Sequence, residues 1–202
     1  MRNSSLKLQS IHEKWFRDCV CKLKATAIQP VPGVGNPNSL IVFIGEAPGK
    51  DEDLQGKPFV GRAGKFLEEM LGTIKMNRED IYITNTVKYR PPNNRDPEPD
   101  EIRDCLPWLL EEIGYIKPKI IIPLGRHAMN RFFPEAKISE VHGKLLKRKL
   151  TFKMQSGVDL IFPTEYFFPL YHPAAALYNG SMRETLIGDF KKIPAILKKI
   201  GT

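Results

Sequence analysis

No apolar run in this 202-residue chain approaches the roughly 18–20 residues that a membrane span requires. Cysteine is scarce: three residues, an odd number and too few for the disulfide framework of a small secreted protein. The opening residues MRNSSLKLQSIHEKWF carry no continuous apolar stretch of a secretory leader, so the expectation is a cytoplasmic protein. Internal repeats and low-complexity tracts are missing. So are the Gly-Lys-Ser/Thr phosphate loop and the GxGxxG fingerprint, which leaves a nucleotide-binding α/β module supported only by a generic glycine-rich turn. Acidic residues are the minority, with 23 Asp and Glu against 31 Lys and Arg. The resulting net charge of +8 favours a polyanionic partner, because phosphate neutralisation releases counterions.

What is present suits one soluble globular domain over residues 1–202, with 42% hydrophobic residues to build a core. Residues 1–39 read as an N-terminal helix and loop packed on that core, the loop punctuated by Pro30, Pro32, Gly33, Gly35 and Pro37. Apolar and β-branched runs predict strands at Leu40–Ile44, Ile81–Thr84 and Lys119–Leu124. Helical spacing predicts helices over Gly61–Met76, Asp100–Tyr115 and Arg126–Phe133, and a last one from about Met182 broken near Pro194. Pro91, Pro92, Pro97 and Pro99 forbid regular structure in Arg90–Pro99. Lys144–Lys153 reads as an edge strand or hairpin arm, and either Asp159–Phe162 or Phe167–Tyr171 supplies a fourth core strand. Alternating strands and helices imply an α/β three-layer sandwich around a central, mostly parallel four-stranded sheet.

In such sheets ligands bind beyond the carboxyl ends of the strands. The residues that follow each strand are Gly45-Glu46-Ala47-Pro48-Gly49, then Asn85, then Gly125-Arg126-His127, then His172-Pro173. A carboxylate, a carboxamide and an imidazole are thus expected at one sheet edge, which points to an active site.

The segment GEAPGKDEDLQGKPFVGRAGKFLEEML, followed by YITNTVKYRPPNNRDPEPDEIRDC and later YHPAAAL, resembles the family 4 uracil-DNA glycosylases of bacteria and archaea. The likeness runs in order from about Cys21 to the final helix. It implies hydrolysis of the N-glycosidic bond of uracil in DNA, single- or double-stranded, on a base taken out of the stack. It further implies that His172 donates to uracil O2, that Asn85 reads the uracil edge, and that Phe59 is the stacking platform. On the same resemblance Glu46 is expected to be the catalytic carboxylate, beside Gly45 and Ala47 in the substrate loop, and Glu52 is a second candidate that also reads as a helix cap. Leu177 lies where a side chain can wedge into the gap left by the flipped nucleotide, and Tyr178 stands where the family often has Arg. For phosphate contacts, Arg90 and Arg95 are favoured over the basic run at Lys144–Lys153.

The same resemblance implies a [4Fe–4S] cluster with four ligands, but Asp18 and Tyr89 occupy two of their positions. Cys21 and Cys105 remain, and Cys19 could substitute by a register shift, giving at most three thiolates. The expectation is no cofactor and no metal, with the Arg-Pro-Pro loop held by packing and salt bridges. The chain is expected to act as a monomer. Gln9 with Trp15-Phe16 is a near miss to a sliding-clamp motif, spoiled by His12 at the aliphatic anchor. A competing reading, motivated by Asp18, Tyr89 and Tyr178, is a non-catalytic DNA-binding repair or replication partner on the same fold.

Overall fold

The computed structural model describes residues 2–153 and 159–201. Helix α1 (Arg2–Asp18) leads to β1 (Val34–Gly35) and β2 (Ile41–Gly45). Helices α2 (Lys50–Gln55) and α3 (Arg62–Thr73) precede β3 (Tyr82–Asn85) and the long α4 (Pro99–Ile116). After β4 (Ile120–Pro123) come two single-turn helices, α5 (Arg126–Met129) and α6 (Ile138–Val141). The strands β5 (Leu146–Lys147), β6 (Thr151–Lys153), β7 (Asp159–Ile161) and β8 (Tyr166–Phe167) follow. Helices α7 (Gly180–Phe190) and α8 (Ile193–Lys199) end the described chain. Among the described residues no helix is long and apolar enough to cross a membrane.

The main sheet runs β1-β3-β2-β4-β8-β5. Its four central strands are parallel, as expected, but an antiparallel strand caps each edge, so the sheet is mixed and six-stranded. Each added edge strand is two residues long, too short for any alternation to show in sequence. β1 lies inside the stretch expected to be loop, and β5 is the only part of Lys144–Lys153 in the main sheet. β6 pairs instead with β7 in a separate hairpin, so β8, within Phe167–Tyr171 at its C-terminal residue, is the fourth core strand.

Central strands bury both faces, hence their unbroken Ile-Val-Phe-Ile and Ile-Ile-Ile runs. Alternation along β2 sends Ile41 and Phe43 toward α3 and α7, where they meet Phe66, Met70 and Phe190. Val42 and Ile44 face α4, against Leu109 and Ile113. A third buried cluster gathers Cys19, Cys21, Leu23, Tyr89, Cys105 and Trp108 beside the start of α4. Trp15 stacks on Trp108 at 5.9 Å and His12 is buried, so α1 turns these residues inward and leaves Gln9 exposed.

One buried feature has no counterpart in the sequence reading. Glu112 accepts from Lys88 Nζ at 2.6 Å, Thr84 Oγ1 at 2.9 Å and the Gly33 N–H at 3.1 Å, with His12 Nε2 3.0 Å away. Burial alone would raise the carboxyl pKa, but Lys88 and His12 bring it down to about 2. A buried ion pair contributes little net stability, while removing one partner strands the other charge.

Candidate active site

The carboxyl ends of β2 and β3 open into a cleft of about 330 Å³. Glu46, Ala47, Glu52, Phe59, Asn85, Arg95, Asp96 and His172 all line it, so residues far apart in sequence share one cavity. β2 and β3 run in register up to Gly45 opposite Asn85, and the Thr86 and Val87 N–H groups extend that pairing to the Gly45 and Glu46 carbonyls.

Gly45 is required by close approach. A Cβ there would sit 2.3 Å from Asn85 Oδ1 and 2.7 Å from the Phe59 ring, so only glycine lets the two converge. Asn85 is 2% exposed, and its carboxamide has no hydrogen-bond partner among the described residues. Its amide is turned to the open cleft, where a ligand can meet it. Phe59 adopts φ +54°, an unfavourable backbone region for a bulky side chain. Arg78 holds that turn by donating to the Phe59 carbonyl at 2.7 Å and to the Pro58 carbonyl. The Phe59 ring lies 5.7 Å from the His172 ring.

His172 caps the 3-10 turn Pro173–Leu177, its Nδ1 accepting the Ala174 N–H at 3.2 Å. That bond fixes the tautomer and leaves Nε2 as the N–H donor of the neutral ring. Burial pushes its pKa down to about 4, so the ring stays neutral at physiological pH. Glu46 is the opposite case. Its Oε1 is buried with no hydrogen-bond partner among the described residues, and burial with the nearby Asp96 pushes the carboxyl up to about 7.

Glu52 binds backbone and helps hold the loop together. Oε1 accepts the Val60 and Gly61 N–H groups at 2.9 and 2.8 Å, and Oε2 accepts the Gly49 N–H at 3.1 Å. It therefore staples the glycine-rich loop to the segment that carries Phe59. Arg95 is likewise engaged, as its guanidinium forms a two-pronged pair with Glu101 at 2.8 and 2.6 Å. Arg90 donates to Asn94 Oδ1 at 2.8 Å. Leu177 is half-buried, and Tyr178 beside it is 84% exposed. Sequence reasoning placed His127 at the sheet edge without a role. Its Nδ1 lies 3.7 Å from Glu46 Oε1 and its Nε2 3.2 Å from Asp96 Oδ2.

Two groups of residues bear on metal. Glu46, Asp96 and His127 bring ligand atoms within 4.8 Å of one another, but Arg126 and Arg131 flank them and supply the balancing positive charge. The second group is the cysteine cluster. Cys19 and Cys21 both point inward while Val20 between them is 81% exposed, an alternation that turns both thiols toward Cys105. Asp18 is exposed and paired with Arg17 at 2.9 Å. The remaining donor is the Tyr89 hydroxyl, 1% exposed as a residue and unpartnered among the described residues, its proton held more tightly because of burial and the neighbouring thiols. Three thiols and a reluctant phenol do not fit a four-thiolate cubane. Ion pairs tether the loop, through Arg95 to Glu101 and Lys22 to Asp100 at 3.0 Å.

A family model described as the uracil DNA glycosylase superfamily matches residues 32–194. The chain is 48% identical to a type-4 uracil-DNA glycosylase of Saccharolobus solfataricus, over 88% of this chain and 80% of that one. It is 45% identical to the type-4 enzyme of Sulfurisphaera tokodaii (92% and 83%) and 47% identical to that of Archaeoglobus fulgidus (89% and 87%).

Proposed function

The chain belongs to the uracil DNA glycosylase superfamily, alongside its type-4 members, and from that premise we propose that it excises uracil from DNA through the cleft at the ends of β2 and β3. The reaction is hydrolysis of the N-glycosidic bond, which builds negative charge on the departing uracil and positive charge on the sugar. The observation that carries this reading is one aromatic platform ringed by polar groups with no hydrogen-bond partner among the described residues: the Asn85 carboxamide, the buried Glu46 inner oxygen and the His172 Nε2.

A uracil turned out of the duplex stacks on Phe59. The Asn85 amide donates to O4 and accepts from N3–H, a pattern that cytosine reverses. A neutral His172 donates from Nε2 to O2 as charge develops there, a stabilisation that grows toward the transition state. Glu46, once ionised, faces the sugar side as the group that orients water or stabilises the oxocarbenium-like centre. Leu177 fills the gap in the stack, and the exposed Tyr178 ring packs on the DNA. Because Arg95 is committed to Glu101, it supports the loop, and Arg90, whose contacts are one hydrogen bond to Asn94 and a looser 4.0 Å pair with Asp53, is the better candidate for phosphate.

The donor set favours a glycosylase that works without an iron–sulfur cluster. The proposal includes action as a monomer on cytoplasmic, nucleoid DNA. Incubation with an end-labelled uracil oligonucleotide, followed by alkaline cleavage of abasic sites, tests the proposal. A product band at the uracil position is expected from single strands and from mismatched duplex. Retained DNA binding without any product would favour the non-catalytic reading.

A further inference from the structure

Among the described residues, Glu46 is the member of the site with a buried oxygen that makes no hydrogen bond, and its nearest titratable neighbours come from other segments. His127 sits on α5, beyond β4, and Asp96 sits on the loop beyond β3. The imidazole lies between the two carboxyl groups, 3.7 Å from Glu46 Oε1 and 3.2 Å from Asp96 Oδ2. The hydrogen bond to this ring among the described residues comes from Arg126, whose Nε donates to His127 Nε2 at 2.9 Å and whose Nη2 stands 3.8 Å from Asp96. We infer that His127 and Asp96 are positioning residues for Glu46, fixing the orientation and charge state of that carboxyl group.

The inference rests on the excision reading above and adds how the carboxyl is held. A neutral imidazole with its proton on Nδ1 turns that N–H toward Glu46 Oε1, an electrostatic contact at 3.7 Å, while Nε2 accepts from Arg126. With the proton on Nε2, the ring donates to Asp96 and presents a lone pair to a protonated Glu46. The tautomer and the ionisation of Glu46 are therefore linked. Other charges face the same carboxyl. Arg126 and Arg131 favour its ionised form, Asp96 opposes it, His172 is neutral, and the Arg95 charge is matched by Glu101. Asp96 and His127 are exposed and partly exposed, so their substitution leaves the core untouched.

The test compares Asp96→Asn, His127→Asn and His127→Gln with wild type. One readout is the single-turnover pH–rate profile. The other is the carboxyl ¹³C titration of Glu46, assigned by its loss in Glu46→Gln. Removing the Asp96 charge should move both midpoints down by about half a pH unit to one unit. An asparagine amide overlays Nδ1 and a glutamine amide overlays Nε2, so His127→Asn should retain several-fold more rate than His127→Gln. An unchanged Glu46 titration in Asp96→Asn, or equal rates for the two His127 variants, would overturn the inference. If the wild type releases no uracil, the functional reading falls, and the titration still decides the coupling.

Discussion

Thr84 and Asn85 are neighbours on β3, nearly equally buried, yet they face opposite sides of the sheet and serve different ends. The Thr84 hydroxyl donates to Glu112 and receives from Lys88, inside a network where every polar group has a partner. The Asn85 carboxamide, one residue on, faces the cleft with no partner among the described residues. A satisfied buried polar group holds the fold in a single arrangement. One turned to an open cleft adds little to the fold and is left to read a ligand of matching pattern. The two sides of one strand thus separate stability from function.

The largest expected effect lies on the satisfied side. Lys88→Met leaves the Glu112 carboxylate buried without the lysine charge that pairs it, and should cost about 3–5 kcal/mol. Chemical denaturation gives this directly as a lower midpoint at unchanged slope. Next comes His172→Ala, which removes the proposed donor to uracil O2. The excision rate should drop by about 100- to 1,000-fold with the unfolding midpoint nearly unchanged. A variant that lost stability in proportion to rate would erase the distinction between the two sides.

A smaller effect follows from Glu46. Its carboxyl is held up near 7 by burial and by Asp96, and the carboxylate is the form the proposed mechanism uses. The single-turnover rate should therefore rise with pH through about 7 and level off above it. Below that midpoint it should fall about tenfold per pH unit. His172, brought down to about 4, stays neutral across this window and adds no second break. The smallest expected effect is none: chelation should leave both rate and midpoint alone. The purified protein should carry no stoichiometric iron, read by metal analysis and by absorbance near about 400 nm.

How far the sequence discloses this arrangement depends on the physics of each part. The strand ends are legible because doubly buried parallel strands read as unbroken apolar runs and stop at Gly45, Asn85 and Gly125. The cleft residues follow from those ends. Two-residue edge strands carry no periodicity, so β1 and β5 escape. Charged residues read as solvated, which hides the Lys88–Glu112 pair and suggests DNA for Arg95 when Glu101 already holds it. The approach of His127 to Glu46 depends on how two loops fold over one another, and no local spacing encodes it.

The most direct measurement pairs the two neighbours on β3. Thr84→Val and Asn85→Ala are compared for unfolding free energy and for single-turnover release of uracil from the same oligonucleotide. Thr84→Val should lose about 1–3 kcal/mol of stability and keep its rate, because its hydroxyl bridges Lys88 and Glu112 away from the cleft. Asn85→Ala should keep its stability and lose about 100- to 1,000-fold in rate. The reverse pattern, an unstable but active Asn85→Ala beside a stable but inactive Thr84→Val, would contradict the division of the strand into a structural side and a reading side.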